Sequence, residues 1–359
     1  MTLPAIDGVR AALRGVPFPG FRRDIVTLGM VTDVRVADGT VDVALRPGTD
    51  KPDVRARLVA EVERAVGALP GVRAVRVELA GSEAGRGRDP FAARAPLPGV
   101  THVIAVASGK GGVGKSTVAA NLAVALAREA RGVGLVDVDV YGPSAAMMFG
   151  LDERPTMTRE KRLIPPARHG VRVVSMAMFL EEQSPVIWRG PVVMGIVRQF
   201  LHDVDWGPAE FLVVDLPPGT GDAVLSLVQQ VPVTGAVVVT TPQDVSLLDV
   251  GRGVAMFGQV STPVLGVVEN MAGYVCPSCG TEDALFGAGG GTRLATHFGI
   301  PLLAQIPIEP AVRAGGDRGV PITVAEPEHP VSLAFRGLAS RVVAAARKMA
   351  PAATRGVDG

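Results

Sequence analysis

One run constrains this chain more than any other: Gly109-Lys110-Gly111-Gly112-Val113-Gly114-Lys115-Ser116-Thr117. It follows an apolar stretch at 103–107 and precedes a helical pattern over 117–129. Strand, glycine-rich turn and helix are the setting of a phosphate-binding loop, and the run satisfies G-x-x-x-x-G-K-[ST] at every fixed position. Successive backbone N–H groups can wrap an anion there, with the helix N-terminus adding a favourable dipole. Glycine lets the chain approach without a Cβ in the way. Lys115 would reach the β- and γ-phosphates, and Ser116 would hold Mg²⁺.

The rest of the domain should then alternate strand and helix. Apolar runs fall at 133–136, 171–176, 211–214, 236–240, 264–268 and 302–306, with helical patterns between them. They are continuous rather than alternating, so both faces are buried. The expected fold class is therefore α/β, a mostly parallel sheet flanked by helices, with ligands bound beyond the strand C-termini. Polar groups do follow the apolar runs: Asp137 and Asp139 after the first, Asp215 after 211–214. An apolar strand ending in aspartate is the Walker B arrangement, in which Asp215 would hold Mg²⁺ through water.

Ahead of this lies a smaller pattern. A helix is expected from Leu3 to Val16, then alternating strands around Asp38-Gly39, a preferred hairpin turn. Pro52 opens a helix with Val54, Leu58, Val62 and Val66 on one face, and 72–79 alternates again. Residues 1–80 thus read as a small α+β domain. Residues 81–99 are rich in Gly, Pro and charge and read as a linker, residues 100–350 as the P-loop domain, and 351–359 as a flexible tail.

Composition excludes several classes. With 36 basic and 35 acidic residues, no charge excess draws the chain to nucleic acid or an anionic membrane. No signal peptide is visible, and no apolar run reaches the length of a membrane span, so stable membrane insertion is not expected. The two cysteines, Cys276 and Cys279, do not make a disulfide framework, which points to a reducing cytoplasm.

Lys110, directly after the first glycine of the loop, makes the sequence resemble the deviant Walker A ATPases. The resemblance implies a dimer in which Lys110 crosses to the partner's ATP, acting as an arginine finger does. It also implies roles for other residues. Asp139 resembles the aspartate that positions the attacking water, and Asp137 would support the Mg²⁺ shell. Pro217-Pro218-Gly219-Thr220-Gly221-Asp222 resembles switch II, with the Gly219 amide sensing the γ-phosphate. Asn270 resembles the adenine-reading asparagine, although by spacing alone it could equally be a loop cap. Ile306-Pro307-Ile308 resembles the later adenine-flanking segment, and Tyr141-Gly142-Pro143-Ser144 is typical of the Mrp and Nbp type. In the related MinD proteins the C-terminal helix binds membrane; here 331–349 reads as a helix packed on the sheet. The N-terminal string Asp24 to Val31 resembles the small domain of iron–sulfur assembly proteins. Phe18-Pro19-Gly20 stands where that family has an acidic turn, and no cysteine is present there, so the domain reads as an interaction or regulatory module.

Cys276-Pro277-Ser278-Cys279 supplies two thiolates, whereas a tetrahedral zinc or a [4Fe–4S] cluster needs four ligands. A symmetric dimer completes the count. Zinc, a cluster or a dithiol redox centre all remain open on residue grounds. The resemblance to Mrp and Nbp carriers implies a [4Fe–4S] cluster shared between two subunits and passed to apo-proteins. Two other classes stand beside that expectation: a MinD- or ParA-like positioning switch, which needs no cysteine pair, and an electron donor like the nitrogenase iron protein, whose cluster cysteines lie far apart in the chain.

Overall fold

The alternating strands near the N-terminus pair as their pattern requires. In the computed structural model, which describes residues 6–17, 24–26, 30–45, 52–79, 94–139, 142–179, 190–219, 222–243, 251, 253–254, 256–258 and 260–349, the chain forms two compact units, Met1–Asp89 and Pro90–Gly359. The first contains α1 (Ile6–Leu13), β1 (Val31–Ala37), β2 (Thr40–Leu45), α2 (Pro52–Gly67) and β3 (Ala74–Leu79). β1 and β2 are antiparallel around Asp38 and Gly39, whose φ values of 48° and 76° suit a tight hairpin. α2 carries the chain over to β3, which runs parallel to β2. Val9, Leu13, Leu58, Val62 and Val66 bury against Val41, Val43 and Leu45. The side chain of Val54, the linker through 93, Phe18-Pro19-Gly20, residues 27–29 of the Asp24 to Val31 string, Tyr141, Thr220-Gly221 and the tail lie outside the described residues.

The second unit contains β4 (Val100–Ser108), α3 (Lys115–Leu126), β5 (Val133–Asp137), α4 (Ala145–Met148), β6 (Thr156–Met157), β7 (Leu163–Ile164), β8 (Ala167–Arg168), β9 (Val171–Ser175), α5 (Gly190–His202), β10 (Ala209–Asp215), α6 (Asp222–Gln230) and β11 (Gly235–Thr240). There follow β12 (Val264–Val275), β13 (Glu282–Asp283), α7 (Gly290–Phe298), β14 (Leu302–Ile308), α8 (Pro310–Asp317), α9 (Ile322–Ala325) and α10 (Pro330–Met349). The main sheet runs β13-β12-β11-β4-β10-β5-β9-β8, with β14 also paired to β12. Its long strands are parallel, and only the short edge strands β8 and β13 pair antiparallel.

Helices cover both faces of this sheet. α3, α9 and α10 bury Val118, Leu122, Ile322, Phe335 and Leu338 on one side. α5, α6 and α7 bury Val197, Leu201, Leu227 and Leu294 on the other. α10 thus packs as the residue pattern at 331–349 predicts. The sequence reading differs at two places. Residues 94–99 are not free linker: Leu97 is buried and the Arg94 guanidinium donates to the carbonyl of Val260 at 3.2 Å. β12 also continues well past residue 268, to Val275.

Candidate functional site

β4 lies at the centre of the sheet between β10 and β11, and the glycine-rich loop leaves its C-terminal end. Gly109 and Gly111 lead into Gly112 and Gly114, whose φ values of 79° and 77° fall in the region where a side chain is strained. Gly114 caps α3, and a Cβ there would run into Asn270 Nδ2. That same amide nitrogen donates to the carbonyl of Val113 at 2.9 Å, so Asn270 braces the loop from β12. A cleft of about 230 Å³ is lined by Lys110, Gly111, Gly112, Lys115, Ser116, Thr117, Asp139 and Pro218.

Parallel pairing sets Asp137 beside Asp215, the last residues of β5 and β10. Lys115 reaches in from α3: Nζ lies 2.5 Å from Asp215 Oδ1, 3.8 Å from Asp139 Oδ2 and 3.2 Å from Ser116 Oγ. Two buried carboxylates, Asp215 and Asp139, therefore face one ammonium, with Asp137 beside Asp215. Burial raises the pKa of Asp215 and the Lys115 ammonium opposes it. The other oxygen, Oδ2, is buried without a hydrogen-bond partner among the described residues. Asp137 is pushed up to about 7, first by burial and then by the charge of Asp215. Its carboxylate accepts from the amides of Asp139, Ser144 and Ala145 and from the Ser175 hydroxyl, at 2.9–3.0 Å. Asp137 thus orders the segment carrying Asp139.

Two expected phosphate contacts have other partners within the chain. The Gly219 amide donates to the Ser108 carbonyl at 2.9 Å. Lys110 Nζ donates to Gln243 Oε1 at 3.1 Å.

Beside the loop opens a second, mostly apolar cleft of about 540 Å³. Gly114, Thr117, Asn270, Pro307, Leu285 and Phe286 are among the residues that line it. Immediately after Asn270 the pairing of β12 with β14 slips, with Met271 at φ 59° and Gly273 at φ 122°.

The cysteines sit where β12 leaves the sheet. Tyr274 and Val275 pair antiparallel with Asp283 and Glu282, and Cys276 to Thr281 form the turn. The Cys276 amide donates to the Thr281 carbonyl at 2.9 Å, and the Gly280 amide to the Cys276 carbonyl at 2.8 Å. Cys279 Sγ lies 3.2 Å from Thr281 Oγ1. That side-chain contact, then the Thr281 backbone and the Cys276 thiol, lowers the pKa of the exposed Cys279. Among the described residues, no group of three or more His, Cys, Asp and Glu is placed to hold a metal ion. One chain thus offers two thiols on a solvent-facing turn.

The sheet order, the loop on its central strand and the aspartates on the neighbouring strand ends define a P-loop NTPase. Residues 99–343 match the family described as NUBPL iron-transfer P-loop NTPase, and residues 6–79 match the family described as iron-sulfur cluster assembly protein. An iron-sulfur cluster carrier protein of Synechocystis is 44% identical over 341 residues, covering 94% of this chain and 96% of the relative. A nucleotide-binding protein of Archaeoglobus fulgidus, solved in complex with ADP, is 40% identical with a TM-score of 0.58, covering 66% of this chain and 93% of that one. The septum site-determining protein MinD of Pyrococcus horikoshii shares the fold at TM-score 0.52 and 24% identity, covering 70% of this chain and 99% of that one. The chain belongs to the iron-transfer P-loop NTPase family.

Sequence reasoning passed over Gln243, Thr281, Leu285 and Phe286. None belongs to a spaced motif; Gln243, Leu285 and Phe286 gain their places only when separate strands are brought together, whereas Thr281 meets Cys279 two residues away.

Proposed function

We propose that this chain is an ATP-binding and ATP-hydrolysing carrier that holds a [4Fe–4S] cluster between two copies of itself and passes it to apo-proteins. The observation that carries the reading is the pairing, in one unit, of the phosphate loop with a solvent-facing two-thiol turn on the strand that walls the neighbouring cleft. Two such turns facing across a two-fold axis would supply four thiolates. The lowered pKa of Cys279 favours the thiolate form that a cluster needs.

In this reading the phosphates lie on the amides of residues 109–117, and the base lies in the larger cleft against Asn270 and Pro307. Mg²⁺ fits the site: Ser116 would bind it directly and Asp215, through its unpartnered oxygen, by way of water. The ion supplies positive charge to the β- and γ-phosphates. Lys115 would leave Asp215 for the phosphates. Asp139 would orient water for in-line attack on the γ-phosphorus, breaking the bond to the ADP oxygen, with Asp137 fixing its backbone. Lys110 would leave Gln243 for the nucleotide of the partner copy, and the Gly219 amide would leave Ser108 for the γ-phosphate.

The N-terminal domain would serve as an interaction or regulatory module, and the reducing cytoplasm would be the working compartment. No described helix is long and apolar enough to cross a membrane. The exposed thiol pair suits zinc chemically as well as iron, so the test measures both metals. Anaerobic reconstitution should give about four iron and four sulfide per dimer, lost together in Cys276→Ala, and transfer to an acceptor apo-protein should respond to ATP. Zinc in place of iron, or a chain that stays monomeric with nucleotide and iron supplied, would overturn the reading.

A further inference from the structure

Leu285 and Phe286 are 54% and 39% exposed, although both line the larger cleft. Large apolar side chains walling an apolar cleft leave surface that a flat aromatic ring would cover. Both belong to the loop that carries the cysteines. Past the shift after Asn270 it pairs once more with β14, Tyr274 opposite Ile308, then turns at Cys276 to Thr281 and returns through Glu282 and Asp283 to the cleft at Leu285 and Phe286.

The two feet of this loop are clamped together. Glu269, fully buried, accepts from the Gly291 amide at 2.9 Å through one carboxylate oxygen and from Gln305 Nε2 at 2.6 Å through the other. Gly290 packs so closely on Pro242 that a Cβ would strike its carbonyl. Between the outgoing foot and the cysteine turn lies the break in register from Asn270 to Tyr274, with Met271 and Gly273 at positive φ. The loop thus has a clamped base, an irregular stretch at 271–273, a tie to β14 at Tyr274 and an exposed tip, and its Leu285 and Phe286 line the cleft.

We propose that Leu285 and Phe286 bind the purine base of the nucleotide, and that covering them moves this loop about residues 271–273 and so resets the pose of Cys276 and Cys279. The base, rather than the phosphates, is then what the cysteine pair senses. This rests on the nucleotide reading of the cleft, and the experiment separates the two.

The chain has only two cysteines, so a bulk thiol assay reads this pair alone. The cluster-free, full-length protein is alkylated with iodoacetamide, alone, with saturating MgADP, and with saturating magnesium tripolyphosphate, which carries phosphates but no base. MgADP should change the alkylation rate by about fivefold or more, the lower end of ordinary site-to-site coupling. Tripolyphosphate should leave it near the ligand-free value. In Leu285→Ala/Phe286→Ala, MgADP should bind more weakly and, once saturating, leave the rate unmoved. Phe286→Leu, which keeps an apolar wall, should retain part of the shift. MgADP binding without a thiol response in the native chain overturns the coupling alone. A tripolyphosphate response equal to that of MgADP, or a full response in the double variant, does the same. No MgADP binding at all overturns the coupling together with the nucleotide reading.

Discussion

Lys115 Nζ lies 2.5 Å from Asp215 Oδ1, and both side chains are buried. The lysine of the glycine-rich loop is thereby neutralised by the aspartate that ends β10. A buried ion pair is costly to break from one side only, because the survivor is left uncompensated. Nucleotide and Mg²⁺ arriving together would relieve both members at once.

Lys115→Ala should therefore fail in two ways. Its affinity for MgADP should fall by roughly 100-fold or more, reflecting a lost charge-assisted contact in a buried site. The nucleotide-free protein should also lose about 3 kcal/mol, since Asp215 would stand buried beside Asp137 and Asp139 with no cation. Calorimetric titration and urea unfolding read the two effects, and unchanged stability would mean that the pair has no structural role.

Burial, then Asp215, raises Asp137 to about 7, so the native chain keeps a proton that the unfolded chain gives up in the ordinary aspartate range. The stability this provides is full below about pH 4 and is lost as pH rises through 7, at most roughly 4 kcal/mol in all. Asp137→Asn removes the titration, while its amide cannot replace an acceptor for the Ser144 and Ala145 amides. The variant should be less stable throughout, with its gap to the native chain narrowing from pH 4 to pH 8 in nucleotide-free protein. A gap independent of pH would show that Asp137 titrates normally.

The loop and the strand-end aspartates were legible because each is local: a spaced motif, an apolar run, a residue at its end. What the sequence hid is non-local. The Gly219 amide is met by Ser108, 111 positions earlier, and Lys110 by Gln243, 133 later. Asn270 stands where the resemblance implies a base contact and spacing alone leaves a loop cap equally open, but neither foretells the brace on Val113 across the sheet. The extension of β12 escaped notice because Gly273-Tyr274 and the cysteines break its apolar run, while the antiparallel partner that sustains it is only two residues long.

Two glycines of the loop share a backbone conformation but not a neighbourhood. Gly112, φ 79°, has nothing within 4 Å of where a Cβ would stand, whereas at Gly114, φ 77°, that Cβ collides with the Asn270 amide. Gly112→Ala should cost only the strain of the left-handed conformation, about 1–2 kcal/mol. Gly114→Ala should cost that and also displace Asn270 from Val113, opening the wall between the two clefts. MgADP binding should survive the first change and be lost in the second. Equal losses in calorimetric titration would show that the brace contributes nothing.

Lys110 offers the sharpest test of whether two copies act together. In the single chain its ammonium is held by Gln243, so its role toward a partner's nucleotide can be isolated by mixing variants. Lys110→Ala keeps its own Lys115 and binds nucleotide but cannot serve the partner. Lys115→Ala cannot bind nucleotide but still has Lys110 to offer. Each alone should lack ATP hydrolysis. Mixed in equal amounts, about half the dimers pair one of each kind, and in those one of the two sites has both lysines. Roughly a quarter of native hydrolysis should therefore return on mixing, rising with protein concentration as dimers form. If Lys110 acted within its own chain, no site in any dimer would hold both lysines, and mixing would restore nothing.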